Sequence, residues 1–201
     1  MYKLSRQGGA LLSGVVCALI VAVHPAAAQT SAMPSGWTSS DIGNPMVAGS
    51  AEISADTMTV RGAGANIGGM SDEFHFAYQA MSGDVDIRIR IADLQDGNPR
   101  AKAGLMIRGS LTADAKNAFM LMSAEQGLAF QWRSRVGRRT ARASGAAMAA
   151  PAWVRLVRQG DVFSAYSSAT GAAWTLVGST TVNMSRNTNR MPTMRSLTDA
   201  K

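Results

Sequence analysis

Between Asp84 and Ile91 the chain reads Asp-Val-Asp-Ile-Arg-Ile-Arg-Ile, and this alternation constrains the fold more than any other feature. Successive side chains of an extended strand point to opposite faces. Val85, Ile87, Ile89 and Ile91 therefore share one face, and Asp84, Asp86, Arg88 and Arg90 share the other. A helix would scatter the four aliphatic residues around its circumference. One dry face and one wet face is the pattern of a strand in an antiparallel sheet. Asp72–Tyr78 repeats it, with Phe74, Phe76 and Tyr78 set against Glu73 and His75. Leu128, Phe130 and Trp132 likewise alternate with Ala129, Gln131 and Arg133.

The spacing predicts further strands at Thr57–Arg61, Ala101–Arg108, Asn117–Ser123, Ala152–Arg158, Val162–Ser168 and Ala173–Val177. Turn formers stand between them: Gly62–Gly64, Asp96-Gly97-Asn98, Gly160-Asp161 and Thr170-Gly171. Glycine admits positive φ there, and Asn or Asp bonds its own backbone. No stripe of 3.6-residue period interrupts the series, so the body is expected to be all-β and antiparallel, a sandwich or jelly roll and not a barrel with helices. Met106, Met120, Met122 and Met148 fall at positions where methionine fills core gaps.

Residues 1–28 have the layout of an export signal. Lys3 and Arg6 precede an apolar run, Ala10–Val23, and Pro25 followed by Ala26-Ala27-Ala28 ends it. Cleavage is expected between Ala28 and Gln29, giving a periplasmic or secreted protein. The run is shorter than the roughly 20 residues of a membrane span, so no span is expected after cleavage. Cleavage also removes Cys17 and His24, the single cysteine and one of the two histidines. A cysteine nucleophile and a multi-histidine zinc site are thereby excluded, and His75 is the one imidazole left. The net charge of +7 falls to +2 between Gln29 and Met184, because the signal and the last 17 residues hold the rest.

Candidate chemistry is sparse. Glycoside hydrolysis needs two carboxylates about 5–10 Å apart, and the mature chain has three glutamates, Glu52, Glu73 and Glu125. Asp84 and Asp86 share a face with Arg88, which suits a cross-strand charge ladder. His75 beside Glu73 could orient a general base, although a lone strand histidine is more often hydrogen-bonded structure. Gly62-Ala63-Gly64 lacks the helix and Lys-Ser/Thr of a phosphate loop. Asp93, Asp96 and Asn98 could offer oxygens to calcium, but they lack the usual loop spacing, and no cofactor is expected. Arg133, Arg135, Arg138, Arg139 and Arg142 cluster around an expected hairpin turn at Val136-Gly137-Arg138. Only Trp132 stands among them for base stacking, which argues against nucleic acid.

Three stretches carry a resemblance: Gly-Trp-Thr-Ser-Ser-Asp-Ile-Gly at 36–43, Lys-Ala-Gly-Leu-Met-Ile-Arg at 102–108, and Trp153–Gly160 leading to Tyr166. With Ala118-Phe119-Met120 and Phe130-Gln131 in order between them, the chain resembles a family of secreted bacterial domains of unknown function. That family belongs to the concanavalin A-like lectin and glucanase superfamily, and some members carry a "regulation of enolase" label. The resemblance covers roughly Pro34–Met184 and implies a jelly-roll sandwich of the concanavalin A-like or laminin G-like kind, with no established catalytic residues. It divides the chain into the signal, 1–28, a linker, 29–35, the sandwich domain, 36–184, and a polar basic tail, 185–201. The family pattern continues after Met184 with apolar strands, whereas Ser185–Lys201 shows no alternation and includes Pro192. Closing strands are therefore expected to be missing, the tail disordered and the isolated domain marginally stable.

Relatives in the superfamily often bind sugars on a polar sheet face. The resemblance thus implies a non-catalytic module for a polysaccharide or an anionic cell-envelope polymer. The expected binding residues are His75, Arg88, Lys102, Arg108, Gln131 and Arg133, on the solvent side of one curved sheet. Two alternatives are a glycan hydrolase or lyase using Glu73, His75 and Asp86, and a purely structural or protein-interaction module.

Overall fold

The computed structural model describes residues 33–54, 57–94 and 98–185, together with the backbone of residues 192–194. The signal segment, the Ala28–Gln29 cleavage point, Asp96 and the remainder of the tail lie outside the described residues. The described chain is all-β. In chain order the strands are β1 (Thr38–Ile42), β2 (Ser50–Ser54), β3 (Thr57–Arg61), β4 (Phe74–Ala80), β5 (Val85–Ile91), β6 (Lys102–Arg108) and β7 (Asn117–Ser123). They continue with β8 (Gly127–Arg133), β9 (Ala141–Ser144), β10 (Ala152–Gln159), β11 (Val162–Ser168), β12 (Thr175–Thr181) and β13 (Pro192–Met194).

These strands form a seven-stranded sheet in the order β1-β4-β13-β6-β7-β8-β9, a four-stranded sheet β12-β11-β10-β5, and the β2-β3 hairpin. Every pairing is antiparallel. The two larger sheets pack face to face as a β-sandwich. Ile89 and Ile91 of β5, with Val154 and Leu156 of β10, meet Leu105 and Ile107 of β6, Met120 of β7 and Phe130 of β8 in one dry cluster. Burying large aliphatic or aromatic side chains contributes about 1.5–3 kcal/mol each, so this layer dominates the stability. The hairpin covers the other end of the long sheet, where Met58 and Val60 pack on Ala77 of β4.

β5 is as the alternation predicts: Ile89 and Ile91 are buried while Asp86, Arg88 and Arg90 are exposed. In β6, β7 and β8 the period of two holds, but both faces are dry. Met106, Phe119, Leu121 and Ala129 point away from the four-stranded sheet into a second cluster with Ile67, Phe74 and Phe76. The cause is the long connection between β3 and β4, which carries Ile67 across that face. β12 begins two residues later than expected, at Thr175, and its register with β11 shifts between Ala165 and Tyr166. β1, β2 and β9 have no alternating apolar run and were not anticipated.

The tail departs from expectation. Pro192–Met194 forms a strand inside the long sheet, between β4 and β6, where Pro192 was not expected to sit. Proline is tolerated because it is the first residue of the strand. It pairs with Ala80 of β4, while the rung to β6 is made at Thr193 opposite Ile107. A closing strand is therefore present, although it is only three residues long.

Candidate functional site

The six expected binding residues do not share one surface. Arg88 lies on β5 in the four-stranded sheet, and the other five lie on the long sheet. His75, Arg108, Gln131 and Arg133 are buried, so the wet face expected for Lys102 and Arg108 is closed over. Each buried group has a structural partner instead of an opening to solvent.

His75 sits on the hairpin-covered face of β4, directly opposite Asp41 of β1 in the register. Its Nδ1 lies 2.7 Å from Asp41 Oδ1, and both Asp41 oxygens accept from the Gly49 N–H at 3.2 Å. Gly49 must be glycine, since a Cβ there would stand 2.3 Å from His75 Cγ. Glu73, expected as the partner of His75, instead accepts the Ala65 N–H at 3.1 Å. Asp86 belongs to the other sheet, so Glu73, His75 and Asp86 do not converge on a hydrolytic centre.

Arg108 and Arg133 flank Asp72 within the second cluster. Arg133 Nη2 donates to Asp72 Oδ1 at 2.6 Å and Nη1 donates to Oδ2 at 2.8 Å. Asn117 Nδ2 and the Gly68 N–H supply further donors to the same carboxylate. Arg108 donates from Nε to Ser110 O at 2.7 Å and from Nη2 to Thr112 O at 2.6 Å. Its guanidinium lies over the Phe74 and Phe76 rings at 5.4 and 5.6 Å. Burial pushes the Arg108 group down to about 10, with Asp72 opposing that shift, so it remains cationic at neutral pH. Gln131 Nε2 donates to Ile67 O at 3.0 Å. These contacts pin the β3–β4 and β6–β7 connections onto the sheet, which explains how polar residues come to line a dry face.

Lys102 alone of the six borders an open cavity. A cleft of about 670 Å³ lies where β4 and β6 begin, bordered by Asn66, Glu73, Asn98, Lys102, Gln126 and Arg142. Lys102 Nζ donates to Asn66 Oδ1 at 2.8 Å and to Ile67 O at 2.7 Å. Burial first, and Arg142 second, push its ammonium below the ordinary lysine value, against the pull of Asp72. Arg142 donates to the Gln126 side-chain oxygen, and Arg100 joins the rim. Among the described residues, three cations and one carboxylate, Glu73, border the cleft. The cleft offers fixed donors and acceptors, but its described lining lacks the paired carboxylates that glycoside cleavage uses.

The basic cluster is divided as well. Arg133 is internal, whereas Arg135, Arg138 and Arg139 are not buried, around a turn in which Gly137 has φ of 65°. The expected ladder from β5 does form, between Asp86 and Arg155 of β10. Sequence reasoning missed Asp41, Asp72, Asn66 and Gln126. Each acts on a partner remote in the chain, and a single sequence carries no local signal for such pairs. Among the described residues no group of three or more histidine, cysteine or acidic side chains is placed to hold a metal ion, and no helix is long and apolar enough to cross a membrane. The chain matches no family model and no curated protein.

Proposed function

We propose that the chain is an exported, non-catalytic binding module, a concanavalin A-like jelly-roll sandwich that holds a saccharide unit of a polysaccharide or cell-envelope polymer in the cleft beside Lys102. The observation that carries this reading is the cleft itself. A volume of about 670 Å³ is in the usual range for small-molecule sites. Its Lys102, Asn66, Gln126 and Arg142 side chains are already held by hydrogen bonds, so little side-chain freedom remains to be lost on binding. The export layout of residues 1–28 and the resemblance to secreted sandwich domains support the same reading. The excess of cations favours a saccharide bearing a carboxylate or phosphate.

Glycan-array binding of the secreted protein, followed by calorimetry on the glycans retained, tests it. Lys102→Ala is expected to weaken binding by about tenfold, the loss of one charge-assisted hydrogen bond, without a change in fold. Release of new reducing ends from a bound polysaccharide would replace this reading with a hydrolytic one. Failure to bind any glycan would leave a structural or protein-interaction module.

A further inference from the structure

The outer face of the four-stranded sheet carries a second set of groups that the cleft does not use. The register lays them out in rows. Arg90 of β5 stands opposite Trp153 of β10, and Arg88 stands opposite Arg155, which in turn faces Tyr166 of β11. Arg155 is clamped by Asp86, from Nε to Oδ1 at 2.7 Å and from Nη2 to Oδ2 at 2.6 Å. Its guanidinium also lies over the Tyr166 and Trp174 rings, 5.3 and 5.8 Å from their centres. Leu176, beside Tyr166 in the register, is 55% exposed.

One feature of this face costs stability. Like charges directly opposite on neighbouring strands are destabilising, yet Arg88 is set against Arg155. Arg88 and Arg90 are both exposed, and Arg88 acts on Asp86 through its charge. Trp153, Tyr166 and Trp174 are half-buried in the same area. Two exposed guanidinia beside ordered aromatic rings match the needs of a polyhydroxylated anion: the rings stack on sugar faces, and the forked cations take carboxylates or sulfates.

We propose that this face docks an acidic polysaccharide chain, independently of the cleft. The signs along β5 favour a glycan over a nucleic acid. Asp84 and Asp86 precede Arg88 and Arg90 on one face, so a strand with a phosphate at every nucleotide would set some phosphates against carboxylates. A glycan with spaced acidic groups places its neutral hydroxyls there, where they donate to the aspartates.

Affinity electrophoresis of the secreted protein through gels containing polygalacturonate, dextran or oligodeoxythymidylate tests this. Retardation by polygalacturonate is expected, weakening with salt, and little by the other two. Arg88→Gln with Arg90→Gln should reduce the affinity at least about tenfold, corresponding to two lost charge-assisted contacts. Both positions are exposed and Arg88 faces Arg155, so the melting temperature should not fall. Trp174→Ala should also weaken retardation, and the loss caused by the two arginine substitutions should be equally large in a Lys102→Gln background, which separates this face from the cleft. The proposal is overturned if polygalacturonate does not retard the protein, if the double arginine variant is retarded as the parent is, or if oligodeoxythymidylate is retained more strongly.

Discussion

Arg133 and Asp72 form a two-pronged ion pair, at 2.6 and 2.8 Å, in which both side chains are shut off from solvent. Asp72 precedes β4 and Arg133 ends β8, so the pair fastens the β3–β4 connection over the long sheet. Removing one partner of a buried pair strands the other charge, at a cost of about 3–5 kcal/mol. Arg133→Met is therefore expected to lower the unfolding free energy by that amount, measured by urea titration. Arg133→Lys, which keeps a cation beside Asp72, should lose less, whereas Asp72→Leu should be costly by itself because it also strands the buried Arg108. A single variant as stable as the parent would show that the pair does not hold the connection down.

His75 acts on the fold through Asp41. His75→Gln should cost about 1–3 kcal/mol, since it disturbs a buried hydrogen-bonded group. Glycan affinity should be unchanged, because the ring lies under the hairpin and not in the cleft. Equal stability together with lost binding would assign His75 to a ligand site instead.

The Asp86–Arg155 pair makes a pH-dependent contribution whose sign is fixed by the shifts. The Arg155 hydrogen bond holds the Asp86 carboxyl below the ordinary value of 3.8, and burial partly opposes it. A depressed carboxyl stabilises the fold above its unfolded value, and that stability is lost as the pH falls through the folded value. Both side chains are partly exposed, so the pair should contribute about 0.2–1 kcal/mol. A double-mutant cycle with Asp86→Asn and Arg155→Gln should show this coupling at pH 7 and none once the carboxyl is protonated.

Lys102 has a consequence of the same sign, at alkaline pH. Its folded value lies below the ordinary 10.5, so the unfolded chain binds more protons in the interval between the two. Stability contributed by this residue should therefore rise with pH through that interval. Unfolding free energies measured on the alkaline side should climb less in Lys102→Met than in the parent. Parallel curves would mean that the ammonium is as well solvated in the cleft as in water.

Gly171 has φ of +82°, and a Cβ there would stand 2.8 Å from Trp153 Cε2. Gly171→Ala should cost about 1–3 kcal/mol through backbone strain and displacement of the indole. Trp153 fluorescence should shift with it. An unchanged emission spectrum would show that the loop moves and the indole does not.

The sandwich was legible in the sequence because strands with one wet face alternate visibly, as Asp84–Ile91 does. In the long sheet, β4, β6, β7 and β8 were found, but Arg108, Gln131 and Arg133 were assigned to a wet face because they have the polar chemistry of surface residues. What makes them internal is Asp72 and the Ile67 carbonyl, brought over them by a connection with no periodic pattern of its own. The aromatic face was hidden for a related reason. Tyr166, Trp174 and Arg155 become neighbours only once the registers of β10, β11 and β12 are known. β13 was missed because three residues are too few for periodicity to register.

The position of β13 also orders events in time. Among the described strands it is the last to be synthesised, yet it stands between two that emerge long before it, pairing Tyr78 with Met194 and Ile107 with Thr193. Until it arrives, the long sheet consists of two separate ribbons, one built on β1 and β4 and the other on β6 through β9. Pairings so distant in the chain form slowly. The two ribbons are therefore joined into one sheet only at the end of synthesis, by the shortest strand of the series.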